Sequence, residues 1–170
     1  EIGPREYFDL FKNSMLVQKS SHTWFKDKVV TSFDDHDHVD QGEYKHRFAA
    51  LGSHALVVPM VGVNSTTLGI PCLYYGSEQA FDGEGGSDRF IREAMFGGEF
   101  GPFRSRGHHC FDETNPTYRA LAEIHALRSQ CIALRRGRQY LRAISTDGVG
   151  FRFPDRIGSD RMRSIVALSS

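Results

Sequence analysis

Two short apolar segments of the chain end abruptly in polar residues. Residues 28–33 are rich in β-branched side chains and lead into the acidic segment 34–37, and residues 70–75 lead into Gly76 and Glu78. The chain between them is long enough for one helix. When parallel strands alternate with helices, the chemistry sits at the carboxyl ends of the strands. The pattern therefore predicts an α/β fold with two parallel strands and polar residues at their carboxyl ends.

Helices are predicted on both sides of these strands. Their expected ranges are residues 4–18, 46–58, 88–95 and 116–134. The last is the best supported, because Leu121 and Ile124 belong to a series of apolar residues at intervals of three and four. Pro59 and Gly62 are expected to end the second helix, since proline interrupts a helix interior.

Beyond Gly137 the hydrophobic period changes to two, which is typical of strands. Short strands are predicted at residues 139–145, 149–153 and 164–168, with a hairpin turn at Asp147-Gly148. The change of period places a boundary near Gly137. It separates a β/α domain, residues 1–136, from the beginning of a β domain, residues 137–170.

Charge and hydropathy exclude several classes of partner. Lys and Arg together number 21, as do Asp and Glu, so the formal net charge is zero and neither nucleic acid nor a membrane is an expected partner. The longest apolar stretch, residues 55–63, is too short to span a bilayer. No secretory signal is recognised at the start of the sequence. The three cysteines, Cys72, Cys110 and Cys131, match no metal-finger spacing and do not indicate a cellular compartment. Cys72 is expected to be buried in a strand.

Two motifs together resemble a known family. Residues Ser32–Asp37 (SFDDHD) and Gly69–Glu78 (GIPCLYYGSE) are similar to the seventh and eighth strands of the α-amylase family of glycoside hydrolases. Three further segments are also similar to members of that family: Phe81–Gly83, Arg92–Phe96 and Asn115–Tyr118. The resemblance extends over almost the whole chain.

The resemblance implies part of a larger fold. A complete (β/α)8 (TIM) barrel needs roughly 250 residues, whereas this chain has 170. We therefore expect a partial barrel, consisting of the last two β/α units, followed by the start of an antiparallel β domain. Either the missing amino-terminal part of the barrel or a second copy of the chain is expected to cover the exposed strands.

The resemblance also assigns roles to residues. Retaining glycosidases use a nucleophile and an acid/base, two carboxyl groups about 5 Å apart, and in this family both lie on strands upstream of Glu1. Asp37 matches the family's third acid, which binds sugar hydroxyls and stabilises the transition state, and His36 matches the adjacent sugar-binding histidine. Asp35 replaces the family's usual Asn and adds a negative charge beside Asp37. Glu78 is a further substrate-binding candidate, or it supports the turn at Gly76.

The implied function is the cleavage or transfer of α-linked glucose polymers or oligomers by a parent enzyme, with this chain inactive alone. Hydrolysis and transglycosylation stay open, and no cofactor or metal is expected. A metallohydrolase using the Asp/His cluster of residues 34–40 is a weaker alternative. Alternate residues of a strand point to opposite faces, so few of these side chains could converge on one metal ion. A non-catalytic carbohydrate-binding or interaction module is another alternative. Arg47 and Arg89 are expected to form buried ion pairs, and Tyr74 and Tyr75 to pack at the core and its rim.

Overall fold

A computed structural model describes residues 21–37, 45–83, 85, 87–95, 111–141 and 166–169. The elements in chain order are helix α1 (Ser21–Lys28), strand β1 (Val30–Thr31), a 3-10 turn (Ser53–Leu56), helix α2 (Val57–Thr66), strand β2 (Ile70–Pro71), a 3-10 turn (Ser77–Gln79), helix α3 (Asp88–Ile91), helix α4 (Pro116–Gln130), helix α5 (Ile132–Arg136), strand β3 (Arg138–Leu141) and strand β4 (Val166–Ser169). The predicted helix at 4–18, the strand at 149–153 and the turn Asp147-Gly148 lie outside the described residues.

Strands β1 and β2 pair in a small parallel sheet. The backbone N–H of Ile70 donates to the carbonyl of Val29, and that of Cys72 donates to the carbonyl of Thr31, both at 2.8 Å. Donors and acceptors advance together along the two strands, which is the parallel pattern. Both predicted strands are therefore present, but each is only two residues long.

The chain divides into two compact units. The first unit comprises Glu1–Val29, Thr67–Ile70 and Cys131–Ser170, and the second comprises Val30–Thr66 and Pro71–Gln130. The second unit contains the candidate site. Its core is formed by four buried residues, with five partly buried apolar residues packed against them: Ala49, Val57, Val61 and Leu121, then Phe33, Phe48, Val58, Leu73 and Ile124.

The helix predicted at 46–58 was wrongly placed, because the structure has α2 at Val57–Thr66. Leu51 and Gly52 both have positive φ, 54° and 81°, so the chain turns where the helix was expected to continue. Pro59 lies in the first turn of α2, where backbone N–H groups have no partner within the helix. Proline is therefore accommodated near the start of this helix rather than ending it.

Helix α4 confirms the expected start of the last helix. The side chain of Asn115 accepts a hydrogen bond from the N–H of Thr117 at 2.8 Å, which is an N-cap, and Pro116 occupies the first helical position. The predicted continuation to residue 134 is interrupted at Cys131, whose φ of −93° and ψ of 107° are extended. A separate short helix, α5, follows directly.

In the first unit, β3 and β4 pair antiparallel, with Arg138 opposite Ser169 and Leu141 opposite Val166. The side chain of Gln139 is buried and accepts a hydrogen bond from the N–H of Leu68 at 2.8 Å. In the part of the chain that the structure describes, no helix has the length and apolar character needed to cross a bilayer.

Candidate functional site

Three of the four residues predicted for the site, Asp35, His36 and Asp37, lie together on one turn that follows β1. The N–H of Asp37 donates to Oδ1 of Asp35 at 2.7 Å, so the side chain of Asp35 folds the turn. His36 Nε2 lies 3.9 Å from Asp37 Oδ2, and these two side chains are 65% and 63% exposed. The turn therefore presents an imidazole and a carboxylate side by side to solvent.

Arg92, just past α3, contacts this turn. Its Nε donates to the backbone carbonyl of His36 at 3.2 Å, and its Nη2 lies 4.0 Å from Oδ1 of Asp37. Nη2 also donates to Oδ2 of Asp88, one helical turn earlier, at 3.3 Å. The sequence interpretation missed this role, and the spacing of four between Asp88 and Arg92 was the signal available.

Tyr74 and Tyr75, in the segment after β2, form hydrogen bonds to the segment that carries Arg92. The Tyr74 hydroxyl donates to the carbonyl of Ile91 at 3.3 Å, and the Tyr75 hydroxyl donates to that of Glu93 at 2.8 Å. Burial, assisted by the neighbouring Tyr75, raises the pKa of Tyr74 well above its usual range. Both side chains are half-buried, in agreement with the predicted packing role.

Beneath the turn, Arg47 is fully buried and forms an ion pair with Asp34. Arg47 Nε donates to Asp34 Oδ2 at 3.0 Å, and Nη2 donates to the carbonyl of Tyr75 at 2.6 Å. Oδ2 of Asp34 also accepts a hydrogen bond from the Ser77 hydroxyl at 3.1 Å, and Oδ1 of Asp34 accepts one from the backbone N–H of Phe48 at 3.2 Å. Asp34 is thus fully engaged by protein groups and unavailable to a ligand.

The prediction of buried arginine pairs is confirmed for Arg47 and wrong for Arg89. Arg89 is exposed and lies over the ring of Phe90, with its guanidinium carbon 5.0 Å from the ring centroid. Arg47 has a second acidic neighbour, since its Nη1 lies 3.9 Å from Oε1 of the buried Glu93. Arg47 therefore joins the end of β1, the end of β2 and the segment after α3.

Two features keep this arrangement compact. Gly76 has a φ of +83°, and a Cβ there would lie 2.8 Å from Nη1 of Arg47, so both conformation and space require glycine. From α2, the buried Asn64 donates to the carbonyls of Thr31 and Cys72 at 3.2 and 3.3 Å. Asn64 thereby joins the last residue of β1 to the residue that follows β2, a role that sequence reasoning missed.

Glu78 lies in the 3-10 turn immediately after Gly76 and is half-buried. Among the residues that the structure describes, no hydrogen bond or ion pair joins it to the turn of Asp35, His36 and Asp37. Its proposed contact with substrate stays a prediction.

The described ranges contain no group of three or more His, Cys, Asp or Glu side chains arranged to hold a metal ion. His38 and Asp40, part of the Asp/His cluster considered for a metal, lie outside those ranges. Cys72, which was expected to be buried in a strand, is an exposed free thiol because β2 ends at Pro71.

Comparison with known proteins gives one informative similarity. No protein-family model matches the chain. An alpha-amylase of Streptomyces lividans is 34% identical over 91 residues, which cover 48% of this chain and 10% of that protein. The chain thus spans about a tenth of the length of the curated relative that it matches. The similarity supports a resemblance to alpha-amylases and suggests a glycoside hydrolase fragment.

Proposed function

We propose that this chain is the carboxyl-terminal part of the catalytic domain of an α-amylase-family glycoside hydrolase, acting on α-linked glucose polymers or oligomers. Residues 1–136 would supply the last two β/α units of the barrel, and residues 137–170 the beginning of the following β domain. The observation that carries the proposal is the exposed His36–Asp37 pair on the turn that follows a parallel strand, in a chain similar to an alpha-amylase.

The geometry supports a specific division of roles. The carboxylate of Asp37 is largely exposed and free to accept hydrogen bonds from sugar hydroxyls. Such bonds strengthen as positive charge develops on the sugar ring, which selectively stabilises the transition state. His36 binds the same sugar ring, and Asp35 shapes the turn from below while adding charge. Glu78, in the 3-10 turn after Gly76, would be a further contact to the sugar.

The nucleophile and the acid/base of this enzyme would come from strands outside the chain. The parent enzyme would retain the anomeric configuration, because it would use a covalent glycosyl intermediate. In that assembly, the remaining barrel strands would cover the open sides of β1 and β2.

The test is an assay of the full-length product of the gene that encodes this chain. Release of reducing ends from maltoheptaose, with cellopentaose as a β-linked control, measures the predicted specificity. Proton NMR of the first-formed product is expected to show the α-anomer. A full-length protein that cleaves neither maltoheptaose nor amylose would refute the proposal.

A further inference from the structure

Arg92 contacts both the backbone and the side chain of the proposed site. Its Nε bonds to the carbonyl of His36 at 3.2 Å, while Nη2 lies 4.0 Å from the carboxylate of Asp37. A planar guanidinium can make both contacts because its donors form a rigid fork. A lysine ammonium on a flexible stem carries the charge without this fixed geometry.

The backbone of Arg92 is itself held on both sides. The backbone carbonyl of Ile91, the preceding residue, accepts a hydrogen bond from the Tyr74 hydroxyl. The backbone carbonyl of Glu93, the following residue, accepts one from the Tyr75 hydroxyl. The Glu93 side chain is buried beside Arg47 at 3.9 Å. The backbone around Arg92 is therefore held by Tyr74 and Tyr75, which lie beyond β2, and the guanidinium bridges from there to the turn after β1.

We propose that Arg92 is a positioning residue, which fixes the orientation of the His36–Asp37 turn toward the bound sugar. The expected effect of Arg92 on catalysis rests on the proposed function. Orientation matters because a displacement of about 1 Å of a catalytic group can cost about 100-fold in rate. Asp88 supports the role by accepting a hydrogen bond from Nη2 of Arg92 at 3.3 Å.

The kinetic test compares Arg92→Leu with Arg92→Lys in the full-length enzyme. Arg92→Leu is expected to lower kcat on maltoheptaose about 10- to 100-fold, with a smaller change in KM. Arg92→Lys should recover part of the loss, because it restores charge but not the fork. Arg89→Leu is the matched control, since Arg89 is an exposed arginine three residues before Arg92 that lies over Phe90, and it should retain wild-type kcat.

Hydrogen exchange provides a readout that does not depend on glycosidase activity. In the full-length protein, peptides covering residues 33–37 should exchange faster in Arg92→Leu and in Asp88→Asn than in Arg89→Leu, with thermal stability measured in parallel. Faster exchange confined to these peptides supports the positioning role even if the wild type has no activity on α-glucans. Lack of activity in the wild type would refute only the proposed function. Unchanged exchange in Arg92→Leu overturns the inference, as does unchanged kcat in an active enzyme. Global destabilisation of both Arg92 variants, with exchange raised throughout the protein, also overturns it in favour of a purely structural role.

Discussion

At the scale of single residues, three acids of one short segment have three different environments. Asp34 is buried in an ion pair, Asp35 uses an oxygen to close a turn, and Asp37 is exposed beside His36. Because burial and partners differ so strongly, the same change of Asp to Asn should have a different consequence at each position. The proposed catalytic contribution therefore belongs to Asp37 and not to its neighbours in the sequence.

Asp37→Asn in the full-length enzyme is expected to lower kcat on maltoheptaose about 100-fold or more, because it removes the charge that stabilises the transition state and almost no volume. His36→Ala should mainly raise KM, since the imidazole is assigned to sugar binding. Steady-state kinetics measures both effects, with Glu123→Gln, an exposed acid on α4, as the control. Near wild-type turnover by Asp37→Asn would remove Asp37 from the site.

Arg47→Met is expected to destabilise the fold by about 3–5 kcal/mol, because it leaves the buried carboxylate of Asp34 without its cation. The double variant Asp34→Leu/Arg47→Met should lose less than the sum of the two single changes, since no uncompensated charge remains in that pair. Urea unfolding, monitored by circular dichroism, measures the loss of stability in the single variants and in the double variant. Arg89→Met is the exposed control, and an Arg47→Met effect within about 0.5 kcal/mol of that control would contradict the prediction.

At the scale of elements, the sequence predicted correctly those helix ends that are determined by neighbouring residues. The start of α4 was predictable because Asn115 and Pro116 supply the cap and the first turn. The start of α2 was not, because a proline in an apolar run indicates either a helix end or a helix beginning, and no local sequence pattern signals the positive φ of Leu51. The candidate turn was found by its motif, whereas the contacts of Arg92 and Asn64 join distant parts of the chain and have no local pattern.

The link between β2 and the segment after α3 gives a prediction about pH. Burial raises the pKa of the Tyr74 hydroxyl above the ordinary value of about 10, so the folded chain keeps this proton where the unfolded chain has lost it. The unfolded state then binds fewer protons, and the free energy of unfolding falls as the pH rises above about 10. Tyr74→Phe should remove this part of the decline.

Urea midpoints between about pH 9 and pH 11 measure the effect, since they bracket the ordinary tyrosine pKa. If Tyr74→Phe and the wild type lose stability in parallel over this range, the burial of the Tyr74 hydroxyl does not contribute to the pH dependence.

At the scale of the whole molecule, the short sheet leaves apolar surface uncovered. Val30 on β1 is 61% exposed and Ile70 on β2 is 42% exposed. In the described part of the chain, β1 and β2 have each other as their hydrogen-bonded neighbours, so the outer side of each strand is open. Open edges and apolar side chains of this kind promote pairing with further strands.

The 170-residue chain, purified by itself, is therefore expected to self-associate or to bind the remainder of its barrel. It should also show no α-glucosidic turnover, because orientation by Asp37 cannot replace a nucleophile and a proton donor. Sedimentation velocity and a maltoheptaose assay test the two expectations. A cooperatively unfolding monomer at micromolar concentration would contradict the first, and robust turnover would contradict the second.

The position of Arg47 has a consequence for synthesis on the ribosome. Its partner Asp34 is made before it, whereas Tyr75 and Ser77 follow 28 and 30 residues later and Glu93 comes last. At about 5–20 residues per second, the interval from Arg47 to Glu93 lasts roughly 2–9 s. During most of that interval the guanidinium lacks the aromatic rings of Tyr74, Tyr75 and Phe81 that pack against it in the folded chain. Leu121 and Ile124, which belong to the core of the same unit, are made later still, so the unit is complete only after α4 has been synthesised.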